Sequence, residues 1–204
     1  MKLYNEKILP RVLDFSMSGR FFIKYRKRTL ANVQGKVLEI GFGSGLNLPY
    51  YPPTVEEIVT VDPNTGMNKL AQKRIETATL KVQPHVISGE QLPFEDASFD
   101  SVVSTWTLCS IPKVNQALAE IYRVLKPSGK LYYVEHGLSN EAKVQKWQNR
   151  LNSTQKALFG GCNINRPIEN LLLAQNFKPL ETKQFYARGS IKPLGYFYQG
   201  VMTK

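Results

Sequence analysis

A chain of 204 residues with 27 Lys/Arg against 16 Asp/Glu, a net charge of +11, is long enough to bury about 70% of the surface its unfolded form exposes, so it needs no disulfide or metal staple to fold. Its two cysteines, Cys109 and Cys162, make no CxxC pair and fall short of a structural zinc set; no metal is expected, and a reducing, cytoplasmic setting is the simplest one. No apolar run reaches the ~18 residues needed to cross a bilayer, and the charges scattered through MKLYNEKILPRVLDF exclude the apolar core of a signal peptide.

The apolar residues Ile8, Leu9, Val12, Leu13 and Phe15, then Phe21, Phe22, Ile23 and Tyr25, recur at helical spacing and predict two short basic amphipathic helices, broken at Ser16–Gly19. KVLEI predicts the first strand, followed by a helix that begins in a glycine loop, the strand EIVTVD, and a helix over about Thr65–Thr79. A strand around Lys81–Ile87, an acidic turn, the strand SVVST and a helix over about Val114–Leu125 follow, and Lys126–Gly129 turns into KLYYVEH. Beyond Gly137 come a helix to about Lys156, the loop FGGCNINRP, a helix around Ile168–Gln175, and two strands, FKPLETKQFYA and YFYQGVMTK, joined by SIKPLG. Alternating strands and helices with short links imply an α/β fold: a three-layer Rossmann-like sheet, mostly parallel, with an antiparallel C-terminal edge pair. Residues 1–35 read as a helical lid, because their apolar stripes need a surface and the mouth of the sheet is vacant. Residues 36–136 read as a cofactor-binding core and 137–204 as acceptor-side helices and edge strands, all within one domain. Both flanks of that core are strongly basic, which suits an anionic partner such as a membrane surface or, more plainly, a solvated basic face.

Glycines at every second position of VLEIGFGSGLNL, directly after a strand, let a ligand approach the backbone. A dinucleotide fingerprint would require glycine at position 46 or 48, where Leu46 and Leu48 stand, and no Lys-Ser/Thr pair makes a phosphate cradle. Glu39, two residues before Gly41, would repel phosphate and suits a cation. Asp62, about twenty residues beyond the loop, sits where a carboxylate accepts hydrogen bonds from ribose hydroxyls. A cationic nucleoside without phosphate describes S-adenosylmethionine. The run E-x-G-x-G-x-G, the acid of Val61-Asp62-Pro63-Asn64, Leu92-Pro93-Phe94 and Val124-Leu125-Lys126-Pro127-Ser128-Gly129-Lys130 together resemble the class I S-adenosylmethionine-dependent methyltransferases. The resemblance implies that Glu39, Gly41, Gly43, Gly45, Asp62 and Pro63 hold the cofactor, with Ser88, Gly89 and Glu90 at the adenine and the backbone of Ser104, Thr105 and Trp106 at the methionine part. Many relatives have Asp where Ser88 stands, which makes Glu90 the alternative adenine contact.

Leu108-Cys109-Ser110, Glu135-His136, Trp147-Gln148 and Gly161-Cys162 resemble more particularly the alkyl-thiol methyltransferases and their bacterial relatives. That resemblance implies a small acceptor, hydrophobic or thiol-bearing, with Cys109, Cys162 and Trp106 on the acceptor side. Those enzymes carry a hydrophobic membrane segment at the front, whereas this N-terminus is amphipathic and basic. His136 ends the fifth strand and is the candidate base; orienting a neighbouring loop is its other reading, as a small buried apolar role is for the cysteines. His85 is expected to face solvent. Two separated cysteines count against arsenite methylation, and Ser104-Thr105-Trp106-Thr107 in place of an Asn/Asp-Pro-Pro-Tyr-like motif counts against methylation of a nucleobase amino group; no nucleic acid partner is expected. The alternatives are a phospholipid or quinone-type lipid methyltransferase in peripheral contact with an anionic membrane, and a non-catalytic S-adenosylmethionine-binding module.

Overall fold

Every residue of the run Val37–Ile40 is buried, as a strand covered on both faces requires. In the computed structural model, which describes residues 3–204, this run belongs to β1 (Gly35–Ile40), near the middle of a seven-stranded sheet. The other strands are β2 (Val55–Val61), β3 (Lys81–His85), β4 (Phe99–Thr105), β5 (Leu125–His136), β6 (Lys178–Tyr186) and β7 (Tyr196–Thr203). Their order is β3-β2-β1-β4-β5-β7-β6. The first five are parallel, and β7 runs antiparallel to both β5 and β6. This is the mostly parallel Rossmann-like sheet with an antiparallel edge pair that the sequence pattern implies. The strand order reverses between β1 and β4, which opens a crevice at their carboxyl ends.

Among the described residues six α-helices accompany the sheet: α1 (Leu9–Met17), α2 (Arg20–Leu30), α3 (Thr65–Glu76), α4 (Val114–Val124), α5 (Ala142–Leu158) and α6 (Ile168–Ala174). Successive strand residues point to opposite faces, so Leu38, Ile40, Val102, Leu131 and Tyr133 pack on one side with Leu118 and Ile121 of α4 and Leu172 of α6. Val37, Ile58, Val103 and Tyr132 pack on the other with Leu30 of α2 and Ala71 of α3. The edge strand β6 is mostly exposed and carries Lys178, Pro179 and Lys183, which blunt an otherwise open edge.

Three details differ from the sequence reading. The glycine loop opens no α-helix: it passes into a single 3-10 turn, Leu48–Tyr50. Pro49 takes a first-turn position, where its missing N–H costs nothing, but Pro52 and Pro53 follow at once and Tyr51 before them is extended, which ends the turn. α2 packs Leu30 into the core cluster of that side, together with Val33, Leu48 and Tyr50. Secondly, Lys126–Gly129 is a bulge inside β5, since Leu125 pairs with Phe99 and Lys130 with Ser101.

The third concerns the first thirty-five residues. α2 is built into the body: Leu30 is fully buried, and Gln199 donates to Thr29 Oγ1 at 2.7 Å. The covering part is shorter, a π-helical turn (Tyr4–Ile8) that runs into α1. It is pinned to α3, whose Asn64 cap donates to Asn5 O at 3.0 Å, and by Asp14, which meets Arg74 at 2.9 Å and Ser44 Oγ at 2.6 Å. On its other side Tyr4 donates to Leu158 O at the end of α5.

Candidate functional site

The crevice at the carboxyl ends of β1, β2 and β4 holds a cavity of ≈ 410 Å³, roofed by Leu9, Leu13 and Met17 of α1, within the usual range for small-molecule sites. Gly41 and Gly43 both have positive φ, +71° and +59°. A Cβ on Gly41 would lie 2.1 Å from the Thr107 side chain, so this glycine lets β1 and the turn after β4 close together; a Cβ on Gly43 would meet nothing nearer than 4.0 Å, so its absence keeps the cavity open. Gly45 lies lower, against the Phe42 ring, and does not line the cavity.

Asp62, 8% exposed, follows β2 and lines the cavity. Its carboxylate accepts the N–H of Gly43 and of Asn64, each at 2.8 Å, which leaves lone pairs on both oxygens for a ligand's hydroxyls. Burial raises its pKa, against those two backbone bonds. Pro63, Ser88, Gly89, Thr105 and Trp106 also line the cavity. Of the two candidate adenine contacts, Ser88 is on the wall, while Glu90 accepts the N–H of Lys113 at 2.7 Å and so serves the start of α4.

Glu39 is 1% exposed and lies below the loop, with its oxygens taken by Asn47 Nδ2 and Tyr51 Oη, each at 2.7 Å. Burial pushes it up to about 7, against the pull of those two bonds and of Arg26. Because the folded pKa exceeds the unfolded one, the folded state binds more protons between pH 4.5 and 7. Glu39's contribution to stability is therefore full below the unfolded value and lost as pH rises through 7, by up to roughly 3 kcal/mol. In Glu39→Gln the fall in denaturant midpoint between pH 5 and 7 is expected to flatten; a fall as steep as the wild type's would remove Glu39 as its source.

The sequence reading missed Arg26. It is 5% exposed on α2 yet lines the cavity, donates to Asn47 Oδ1 at 2.7 Å and lies 4.9 Å over the Trp106 ring. Among the described residues its buried Nε has no partner, and burial lowers its pKa to about 10. Spacing held the clue: Phe22, Arg26 and Leu30 are four apart, on the helix face that packs inward. Trp106, at φ +52°, meets Phe22 and Phe197 edge-on.

Asp62, with free lone pairs beside an open glycine backbone, and Arg26, with an orphan donor, suit the ribose and the carboxylate of S-adenosylmethionine. The apolar wall of Ile40, Met67 and Ile111 suits its adenine. The cover is testable through Gly66, whose Cβ would fall 2.0 Å from the backbone oxygen of Glu6. Overpacking by Gly66→Leu costs about 1–3 kcal/mol, roughly a fivefold to 150-fold increase in opening. Tryptic cleavage at Lys7 and Arg11 should accelerate accordingly; an unchanged rate would show that the cover does not dock there.

His136, Cys109 and Cys162 form a separate group one residue behind the cavity wall, where Ser110 and Gly161 stand. Cys109 Sγ is 3.5 Å from Cys162 Sγ, and Cys162 Sγ is 3.7 Å from His136 Nδ1. The hydrogen bond between the thiols pushes Cys109 up and Cys162 down. His136 meets Phe197 edge-on at 4.8 Å. Its neighbour Glu135 is wholly buried and accepts Ser104 Oγ and the N–H groups of Thr107, Leu108 and Cys109. Ser104 is thus consumed in bracing that turn rather than lining the cavity. Counting cysteines alone hid this group, since His136 is its third member.

Residues 38–133 match the methyltransferase domain family. Human thiol S-methyltransferase TMT1A is 34% identical over 192 residues, which cover 91% of this chain and 75% of that protein; the chain spans 59–64% of the length of the rat, human and mouse TMT1B relatives. Phosphatidylethanolamine N-methyltransferase of Cereibacter sphaeroides is 31% identical over 61% of this chain and 63% of its own length. A solved Thermotoga maritima methyltransferase, described as a possible histamine N-methyltransferase, shares the fold at a TM-score of 0.68 and 20% identity, covering 97% of this chain and 96% of that one. The chain belongs to the class I S-adenosylmethionine-dependent methyltransferases, with S-adenosylmethionine as its cofactor, and within them it is most like the thiol S-methyltransferases.

Proposed function

We propose that the chain methylates the sulfur of a small hydrophobic thiol. The observation that carries this reading is the reach of the likeness to thiol S-methyltransferase TMT1A: it spans 192 residues, whereas the common methyltransferase domain ends at residue 133. The loop after α5, which lines the cavity with Phe159, Gly160 and Gly161 and continues into Cys162, thus falls within the shared length.

S-adenosylmethionine, when bound, supplies a methyl group on a sulfonium, whose transfer is an in-line displacement. The chain's task is alignment, dryness and an ionised acceptor. Asp62 holds the ribose hydroxyls and Arg26 the carboxylate, while the Gly43 backbone allows close approach. Trp106, fixed by Phe22 and Phe197, and the α1 residues Leu9, Leu13 and Met17 keep water from the acceptor. His136, beside Cys162, is the group to which we assign ionisation of the acceptor sulfur.

Incubation of the protein with methyl-labelled cofactor and a panel of alkyl thiols, phospholipids and quinols tests the acceptor. Label in a thioether is expected; label in the lipids or quinols alone overturns the thiol reading. The lipid alternative has in its favour the likeness to a phosphatidylethanolamine N-methyltransferase and a surface: α1 and the turn before it expose Leu3, Ile8, Val12 and, at 84%, Phe15, beside Lys7 and Arg11. No helix among the described residues is long and apolar enough to cross a membrane; contact would be superficial. Sedimentation with anionic vesicles at low salt, fading as salt is added, is then expected, and equal binding to neutral vesicles would refute the electrostatic part.

A further inference from the structure

Cys109 and Cys162 come from loops 53 residues apart, yet their sulfurs and a ring nitrogen of His136 all lie within 4.8 Å of one another. We propose that these three side chains form a zinc site whose fourth position takes the acceptor thiol. The acceptor part rests on the thiol reading above; the metal part stands without it.

Two of the three donor pairs are spaced as in a tetrahedron, and the third lies within 4.8 Å. Zinc bonds of about 2.3 Å to sulfur and about 2.0–2.1 Å to nitrogen place two sulfurs about 3.8 Å apart and sulfur and nitrogen about 3.5 Å apart. The structure has 3.5 Å between the sulfurs and 3.7 Å from Cys162 Sγ to His136 Nδ1. The donors are held in place by the protein itself. Glu135 fixes the turn that carries Cys109, His136 closes β5, and Asn163 donates from both N and Nδ2 to Cys109 O at 2.9 Å, tying the two cysteine loops together. Outer partners of this kind orient ligands in metal sites.

The chemistry of the donors points the same way: two thiols and an imidazole are a set that zinc takes, and a coordinated thiol is deprotonated outright. Structural zinc sites close with four protein ligands, whereas three leave a place for substrate. A thiol R–SH entering that place gives up its proton to water and becomes a thiolate. Its electron pair then forms the S–CH₃ bond as the methyl–sulfonium bond of the cofactor breaks, yielding a thioether and S-adenosylhomocysteine. A thioether is uncharged and a weaker ligand than a thiolate, so the product leaves.

The reduced, chelator-treated full chain should be titrated with Co²⁺, a spectroscopic stand-in for Zn²⁺. Thiolate-to-cobalt absorption with tetrahedral visible bands is expected, saturating at one Co²⁺ per chain and abolished by Zn²⁺. Cys162→Ser and His136→Ala should weaken uptake by at least about tenfold while still binding S-adenosylhomocysteine, which shows that they fold. Adding hexanethiol to the cobalt protein should raise the charge-transfer absorption by about one half, from two thiolates to three. Absence of the band in the wild type, or a band unchanged in Cys162→Ser, overturns the site, and no response to hexanethiol overturns the acceptor's place in it. Cobalt uptake without any methylated thiol would sink the thiol reading and leave the metal site standing; methylated thiols from a chain that takes up no cobalt would do the reverse.

Discussion

His136→Ala is expected to lower turnover by about 10² to 10⁴ while leaving affinity for S-adenosylhomocysteine nearly unchanged. The imidazole lies beside Cys162 and against Phe197 and does not line the cavity that Asp62 and the glycine loop border, so cofactor binding has no reason to change. Its effect falls on the acceptor. A thiol with pKa near 8.5 is about 3% ionised at pH 7 and about three-quarters ionised at pH 9, so raising pH should return roughly 25-fold of the lost rate. That rescue is expected whether the imidazole takes the proton itself or holds a metal that does the ionising. A mutant equally impaired at every pH would mean that the ring only props the Phe197 cluster, and a mutant with full activity at pH 7 would remove His136 from the reaction.

Legibility followed the range of the interactions involved. β1, β2, β4 and α4 were readable because burial on both faces of a strand, or on one stripe of a helix, writes an unbroken or 3.6-residue apolar pattern into a short segment. The position of Asp62 was readable for a similar reason: a strand, a glycine turn and the next strand impose a fixed count of residues. What escaped depends on contacts across the chain. Arg26 reaches the cavity only because α2 lies over the turn that Pro52 and Pro53 keep from growing into a helix. Those prolines were visible, but the generic pattern of a helix after the glycine loop outweighed them. The bulge at Lys126–Gly129 keeps turn composition inside a strand, so composition could only report the turn. Glu39 was read for its charge, yet a carboxylate inside a central strand is buried by position, and its partners Asn47 and Tyr51 are set by the fold of the loop. Likewise the nearness of Cys109, His136 and Cys162 follows from three separate strand and helix ends meeting, which spacing along the chain does not encode.

Asp62→Ala is expected to weaken S-adenosylmethionine and S-adenosylhomocysteine alike, by roughly tenfold to over a hundredfold, because charge-assisted hydrogen bonds contribute about 1.5–3 kcal/mol. Two losses combine in this substitution. The ribose hydroxyls lose their acceptor, and the N–H groups of Gly43 and Asn64, each held at 2.8 Å, lose the carboxylate that shapes the loop. Asp62→Asn separates them: its amide retains one acceptor oxygen, but turns an –NH₂ toward one of those two donors. If loop shape dominates, Asn should bind nearly as poorly as Ala; if the ribose contact dominates, Asn should recover part of the affinity. Calorimetry on both variants, with the melting temperature recorded alongside, reads the difference. Unchanged affinity in a folded Asp62→Ala protein would contradict the placement of the ribose at this carboxylate. The Glu39 side chain cannot take over, since its oxygens are already bound to Asn47 and Tyr51 below the loop.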